Sequence, residues 1–370
     1  GNPSSIYSFS DEPKKAVAAG REAIAKSIGA KTNEPYFTGG GSESDNWAIK
    51  GAAHELAKKG KKHIISSRFE HHAVLHSLDA LKKEGFEITL LEVHSDGIVR
   101  PEELEAAIRD DTALVTIMYA NNEIGTIQPI PELAAVCKKH KVLFHTDAVQ
   151  AVGNVPIDVK AQGIDLMSFT GHKIHGPKGC GALYIRRGVR LQNLIDGGAQ
   201  ERSRRAGTEN TAGIVGLAAA VKEATKDIPG RVARLTKLRD KLIAGASKID
   251  RSHLNGHPTK RMAGNFNMCF EGIEGESLLL SLDLKGVCGS SGSACTSGSL
   301  DPSHVLLSLG MPHEIAHGSL RLTLSDENTE EDVDYILEVL PPIVERLRSM
   351  SPLWERIQKE NRPPFQFQDR

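Results

Sequence analysis

Residues 165–179 read DLMSFTGHKIHGPKG. The first six, with Leu166, Met167 and Phe169 among them, read as a buried strand. A lysine, Lys173, comes three residues later, following a histidine and preceding a glycine–proline turn. A surface lysine has no need of such small, rigid neighbours. The meaning of this one depends on what the rest of the chain places around it.

Outward from that stretch, strand-like runs alternate with helix-like ones. HIISS (63–67), EITLLEV (87–93), ALVTIMYA (113–120), VLFHTD (142–147) and GALYIRR (181–187) read as strands. PEELEAAIRD and PIPELAAVCKKH lie between them as helices, each with proline at its first turn. Strand–helix–strand alternation implies an α/β domain with a largely parallel sheet. Ligands of such sheets bind beyond the carboxyl ends of the strands, so the residues just past each strand matter most. Past residue 210, TAGIVGLAAAVKEATKD and RVARLTKLRDKLIAGASK read as helices. A mixed β and α stretch ends in EEDVDYILEVLPPIVERLRSM. The expected division is a large domain over 1–229, a smaller C-terminal α+β domain over 230–360, and a loose tail over 361–370.

Forty-six basic residues nearly cancel 47 acidic ones, so the charge balance points to neither nucleic acid nor a membrane surface. No apolar run approaches bilayer length, and no signal peptide is visible. Five cysteines, an odd number with no CxxC pair, argue against a disulfide framework and fit a reducing compartment. A soluble, cytoplasmic protein is expected. The opening residues GNPSS read like the middle of a protein, so a preceding segment is expected too.

Several strand ends carry chemistry. Asp147 closes VLFHTD, with Gln150 three residues on. A carboxylate there suits a metal, a ribose hydroxyl, a protonated ring nitrogen or simply a helix N-cap. Asn122 ends the strand leading into YANNEIG, where an Asx turn is the plain alternative. His71 comes after HIISS with no obvious helix to sit on. TGGGSESDN (38–46) leads into the helical WAIKGAAHELAKKG, and its backbone N–H groups and serine hydroxyls suit an anion. It matches neither Walker A nor GxGxxG. Lys173 organises these features. A lysine on a rigid turn, a phosphate-binding loop and a strand-end aspartate together are what pyridoxal phosphate (PLP) requires.

A second feature is GVCGSSGSACTSGSLDPSH, residues 286–304. Cys295 has almost no apolar neighbours there, so the loop is expected to be exposed and the thiol reactive. Cys288 reads as the end of a strand, and Cys137 and Cys269 as core. Arg321, inside the alternating GSLRLTLS, suits a substrate α-carboxylate. HEIAH (313–317) formally matches a zinc-protease signature, but Pro312 and Gly318 bracket it too closely for a sustained helix. No metal site is expected.

With these residues placed, the chain resembles the cysteine desulfurases of the NifS/IscS type, which share the class V aminotransferase-like PLP fold (fold type I). The matching stretches are GSESDNWAIKG, YANNEIGTIQ, FHTDAVQAVG, DLMSFTGHKIHGPKG, ERSRRAGTEN, GSSGSACTSGSLDPSHVL and HGSLRLTLS, in the family's order over nearly the whole chain. The wording of the cysteine loop and of MSPLWE looks closer to the nitrogenase-associated branch. The resemblance implies a mostly parallel seven-stranded sheet in the large domain. It implies that Lys173 is the Schiff-base lysine, Asp147 the partner of the ring nitrogen, and His71 the residue stacked on the ring. Gln150 and Asn122 would contact the ring oxygen or substrate. Gly41, Ser42, Thr170 and His172 would hold the phosphate, and Thr208 would complete the phosphate site of a neighbouring subunit in a homodimer. Arg321 would bind the substrate carboxylate and Cys295 would be the nucleophile. The implied reaction converts L-cysteine to L-alanine and passes sulfur, as a Cys295 persulfide, to an acceptor protein such as an iron–sulfur scaffold. A selenocysteine lyase or another class V enzyme, or an inactive scaffold of the same fold, are the alternatives. Members of the family carry an opening segment with an Ala-Thr-Thr motif before the GNPS stretch, which is the segment expected to precede these residues; Ser42 stands where threonine is frequent.

Overall fold

The computed structural model describes residues 1–292 and 302–367, which group into two compact units. The first comprises Gly1–Leu91, Val99–Ala120 and Gln128–Ile228; the second comprises Glu92–Ile98, Asn121–Ile127 and Pro229–Arg370.

The first unit is built on a sheet of seven strands: β1 (Pro35–Thr38), β2 (His63–Ser67), β3 (Glu87–Leu91), β4 (Thr112–Thr116), β5 (Leu143–Asp147), β6 (Leu166–Thr170) and β7 (Gly181–Ile185). Their order is β1-β7-β6-β5-β4-β2-β3. Only β7 runs against its neighbours, so β1 and β6 point the same way on either side of it. Every residue of β2, β4, β6 and β7 is buried. Burial along whole strands is what a sheet covered on both faces requires, and the polar residues in them, such as Ser66, Thr116 and Ser168, are buried with the rest. Around it lie α1 (Asp11–Ser27), α2 (Gly41–Ala57), α3 (His72–Lys83), α4 (Pro101–Ala107), α5 (Ile130–Lys139), the single turn α6 (Gln200–Ser203) and α7 (Thr211–Ala224). Trp47, Ala48, Ile49, Ala52 and Ala53 of α2 pack into one core with Ile64, Leu114 and Leu183 of the strands. The small alanines let the helix sit close to the sheet. Buried side chains such as Ile49 contribute about 1.5–3 kcal/mol each.

Two elements start earlier than the sequence suggests. α2 begins at Gly41, inside the glycine-rich stretch read as a loop. His71 does have a helix: it is the N-cap of α3, its Nδ1 accepting from the Ala73 N–H at 3.1 Å. β4 ends at Thr116, so Asn122 lies beyond the strand, in the turn that opens the second unit's Asn121–Ile127 segment.

The second unit carries a three-stranded antiparallel sheet in the order β10-β9-β8, from β8 (Ser252–Leu254), β9 (Asn265–Phe270) and β10 (Ser319–Thr323). Its helices are most of α8 (Ile228–Ala246), then α9 (Gly275–Asp283), α10 (His304–Ser308), α11 (His313–Ala316), α12 (Glu330–Ser349) and α13 (Pro352–Lys359). Leu238 and Leu242 of α8, Phe266 and Phe270 of β9, and Val333, Leu340 and Val344 of α12 form its core. Thr329 and Asp332 make a reciprocal capping box at the start of α12. α11 is four residues long, so HEIAH presents no sustained helix. Cys288 is exposed and lies outside any strand, contrary to its reading as a structural strand end. The tail is not loose through residue 367. The Phe365 N–H donates to Glu271 Oε1 at 2.8 Å, and the Phe365 ring meets His253 edge-on at 5.5 Å. No helix among the described residues is long and apolar enough to cross a membrane.

Candidate active site

The carboxyl ends of β1, β5 and β6 lie along one edge of the large sheet. Thr38 of β1 and Thr170 of β6 both face Gly181 of β7 in register, and Asp147 of β5 faces Ser168 of β6. A Cβ at Gly181 would lie 2.8 Å from the Gly40 Cα and 2.7 Å from the Phe169 carbonyl oxygen, so only glycine admits this approach. The register therefore sets the glycine loop, the aspartate and the lysine turn on one edge.

The glycine loop is held firmly. Gly39 N–H donates to Glu43 Oε2 at 2.7 Å, and Arg205 clamps the Glu43 carboxylate through Nε (2.8 Å) and Nη2 (3.0 Å). Thr38 Oγ1 and Ser44 Oγ bond to each other at 2.8 Å. Gly40, the N-cap of α2, offers no side chain to the first turn. The Gly41 and Ser42 N–H groups of this seventeen-residue helix thus open beside Thr170 and carry the positive end of its dipole. A Cβ at Gly41 would lie 2.8 Å from Val149 Cγ2 and 3.7 Å from Thr170 Cβ, which marks a cradle closed to any larger residue. Thr170 Oγ1 and His172 Nδ1 bond at 3.0 Å. Burial, then the neighbouring Lys173 and Lys178, holds His172 below the usual histidine range, which favours the neutral imidazole.

Lys173 closes a 3-10 turn, Gly171–Lys173, and is itself exposed. The turn is pinned at its base: Gly171 N–H donates to the Cys180 carbonyl at 3.0 Å, and the Ile174 and Gly176 N–H groups return to the Gly171 carbonyl at 3.0 and 2.9 Å. A Cβ at Gly171 would sit 3.0 Å from the Pro177 carbonyl oxygen. The small residues around the lysine thus fix the point from which a flexible amine reaches out.

Asp147 is buried, 5% exposed, and its Oδ1 accepts the Val149 N–H at 2.9 Å in an Asx turn. Burial pushes its carboxyl up to about 6, against the pull of the Val149 N–H and of the Lys173 charge. It is not alone. Burial and then repulsion from Asp147 raise Asp45 well above the carboxylate range, and burial raises Glu70 to about 8. Glu70 Oε1 accepts the Ser67 hydroxyl at 2.5 Å and the Met118 N–H at 3.0 Å. His145, held by burial at about 3, is neutral and bridges the Thr116 and Ser168 hydroxyls at 2.8 and 2.9 Å. Sequence reasoning misses these three. His145 has a signal, lying two residues before Asp147 on the same face of β5. Asp45 and Glu70 have none beyond adjacency to the glycine loop and to His71.

Gln150 is half-buried in the turn after Asp147, His71 is half-buried after β2, and Thr208 is exposed between α6 and α7. In the second unit, Arg321 lies on β10 between buried leucines, and its Nη1 donates to the Asn122 carbonyl at 2.8 Å. The expected nucleophile, Cys295, lies outside the described residues.

The first unit's set fits PLP on its own chemistry. A dianionic phosphate matches a helix N-terminus whose glycine cradle admits no Cβ. A cationic ring nitrogen would relieve the Asp147 carboxylate of its burial cost, and an aldehyde needs an amine on a fixed root.

The aminotransferase class-V family model matches residues 1–336. A cysteine desulfurase IscS from Methanosarcina thermophila is 60% identical over 95% of this chain and 87% of its own length. A cysteine desulfurase IscS from Clostridium botulinum is 57% identical over 97% of this chain and 91% of its own. Among solved structures, a NifS-like protein superposes with a TM-score of 0.88 at 38% identity, covering 94% of this chain and 92% of that one. SspA, solved in complex with cysteine, gives 0.78 at 36% identity over 88% and 90%. The family model and the near-full-length identities place the chain in the class-V aminotransferase family and, within it, among the cysteine desulfurases of the IscS/NifS kind.

Proposed function

We propose that the first unit's site binds PLP and that the enzyme converts L-cysteine to L-alanine, passing the sulfur through Cys295 to an acceptor protein. Members of this family use PLP, and the observation that carries the assignment here is the shared edge on which Asp147, the Lys173 turn and the α2 N-terminus meet. Gly41, Ser42, Thr170 and His172 would hold the phosphate, and Asp147 the ring nitrogen. His71 would cover the ring face, while Gln150 and Asn122 would serve the ring oxygen and substrate. Bound PLP supplies an electron sink for the pair released at the substrate's Cα.

The chain's own residues divide the remaining work. Arg321 fixes the substrate carboxylate with its planar fork and so orients the Cα–H bond. Lys173 Nζ takes the α-proton; its fixed turn root and flexible stem let the amine stay in reach of that atom. Asp147 stays ionised opposite a cation and holds the positive charge on the ring side. The Cys295 thiolate attacks the substrate sulfur. A sulfur–sulfur bond forms, the Cβ–S bond breaks with its electron pair left on carbon, and protonation at Cβ followed by return of a proton to Cα from the Lys173 amine gives alanine. The persulfide then serves an acceptor, and the IscS relatives make iron–sulfur assembly the favoured use. The active form is a homodimer in which Thr208 completes the neighbouring subunit's phosphate site, and it works in the cytoplasm.

The test is alanine formation from L-cysteine with added PLP and reductant, for the wild type beside Cys295→Ala. Alanine from the wild type alone is expected. Equal alanine from both would refute the nucleophile, and preferential turnover of selenocysteine would move the reading to a lyase.

A further inference from the structure

The second unit contains a buried carboxylate that the reaction above does not use. Glu123 comes after Asn122 and is 1% exposed. Its backbone is held on every side: the N–H donates to Asn121 Oδ1 at 2.8 Å, and the carbonyl accepts from Asn265 Nδ2 and Asn267 Nδ2, both at 2.9 Å. Two residues on, Gly125 has φ 79°, and a Cβ there would fall 2.4 Å from Asn265 Oδ1, so the turn admits only glycine. Arg261 Nη2 secures the Ile124 carbonyl at 3.0 Å. A side chain on so fixed a backbone has little freedom.

That side chain reaches both roots of the segment containing Cys295. Glu123 Oε2 accepts the Ser303 hydroxyl. A Cβ at Gly292 would lie 3.6 Å from the same oxygen and 3.3 Å from Ser303 Cβ, so the Gly292 backbone passes beside this carboxylate and beside Ser303. Each root is tied further. Ser303 Oγ accepts the Val305 and Leu306 N–H groups at 3.1 and 3.4 Å, which caps α10. On the other side, Ser290 exchanges both backbone bonds with Arg321 (3.0 and 2.6 Å), and the Ser319 hydroxyl donates to the Ser291 carbonyl at 2.6 Å. The Asn122 carbonyl, next to Glu123, accepts Arg321 Nη1. A carboxylate is a costly choice for a buried joint, since burial lifts its carboxyl above the usual range. An apolar residue could fill the space, but only an acceptor can hold the Ser303 hydroxyl.

We propose that Glu123 is a positioning residue for sulfur transfer: it bonds the Ser303 root of the Cys295 segment, beside the Gly292 root, and ties it to the turn that holds Arg321. The proposal rests on the desulfurase reading and adds a residue to it. Glu123 acts through Cys295, so its loss should spare the capture of L-cysteine at the cofactor and slow the attack on sulfur.

The experiment compares Glu123→Ala and Glu123→Gln with the wild type, all loaded with PLP. Three quantities are read: the rate of the cofactor's absorbance change on adding L-cysteine, kcat and KM for alanine formation, and hydrogen exchange over residues 304–308. For Glu123→Ala, the absorbance step and KM should stay within about twofold. kcat should fall about tenfold, as expected when one charge-assisted bond that orients a reacting group is lost. Exchange over 304–308 should quicken. Glu123→Gln keeps an acceptor oxygen and should recover most of the kcat. If the alanine variant fails to fold, Ser303→Ala removes the same bond from its other end and must show the same split. An unchanged kcat, an equal fall in both steps, or a folded glutamine variant that recovers nothing overturns the proposal. A wild type that makes no alanine would refute the function above, whereas unchanged exchange over 304–308 would refute the joint itself.

Discussion

Replacing Asp147 by asparagine in the cofactor-free protein should make it more stable at pH 7 and leave it nearly unchanged at pH 3. Burial, the largest influence on this carboxyl, lifts it from 3.8 to about 6. Between those values the unfolded chain has released the proton while the folded one retains it. Stability therefore falls as pH rises through that window, and above about 6 the deficit is complete. At about 1.36 kcal/mol per pH unit, the gap amounts to about 3 kcal/mol. The side chain is almost wholly buried, so solvent does little to screen this cost. Asparagine keeps an oxygen for the Val149 N–H and has no proton to lose. Urea unfolding of both proteins at pH 3, 4, 5, 6 and 7 should give a stability difference that opens from near zero to about 3 kcal/mol in the variant's favour. A difference that is flat with pH, or that favours the wild type at pH 7, would refute the reasoning. Added PLP should reverse the order at pH 7, because a cation opposite the carboxylate returns the burial cost as binding energy. The acid is thus poorly placed for stability alone and well placed for a cationic ring.

Other consequences can be measured separately. Gly41→Val places a branched side chain where even a Cβ meets Val149 at 2.8 Å, and the PLP dissociation constant, followed by absorbance, should rise at least about tenfold. Glu201→Ala strips a carboxylate that accepts Arg21 at 2.8 and 2.6 Å and the Phe37 N–H at 2.9 Å. It leaves a nearly buried guanidinium without its partner, so urea unfolding should show a loss of about 3–5 kcal/mol. Arg321→Lys keeps the charge but loses the planar fork; KM for L-cysteine should rise about tenfold, with a smaller change in kcat.

Much of the fold and of the site is legible in the chain alone. The short length, bulky apolar residues and position between helix-like segments of HIISS, VLFHTD and DLMSFT identify β2, β5 and β6 to within a residue. Lys173 and Asp147 stand out for a related reason. Strand ends are where ligands of such sheets bind, so a carboxylate and a lysine together there carry more weight than either alone. What stays hidden is long-range. β1 is four residues long and opens on proline, so nothing local marks it; its pairing with β7 creates it. α2 starts on a glycine that propensity alone assigns to a loop, because the close approach of Gly40 to Gly181 decides the matter. His71 is an unusual N-cap, so nothing local marks a helix as beginning there. The grouping of 92–98 and 121–127 with the C-terminal half rests on side chains such as Asn265 and Arg261, which bond the Glu123 and Ile124 carbonyls from far along the chain. Glu123 itself reads in sequence as one acid among 47 acidic residues; only its burial against Ser303 distinguishes it.

The central claim is that Lys173, on its rigid turn, is the amine that holds the cofactor opposite Asp147. Borohydride reduction of the PLP-loaded protein, followed by digestion and mass mapping, tests it most directly. The account predicts one pyridoxyl group per chain, on the peptide containing Lys173, and none in Lys173→Ala. A pyridoxyl group on another lysine, or labelling that survives in the variant, would contradict it.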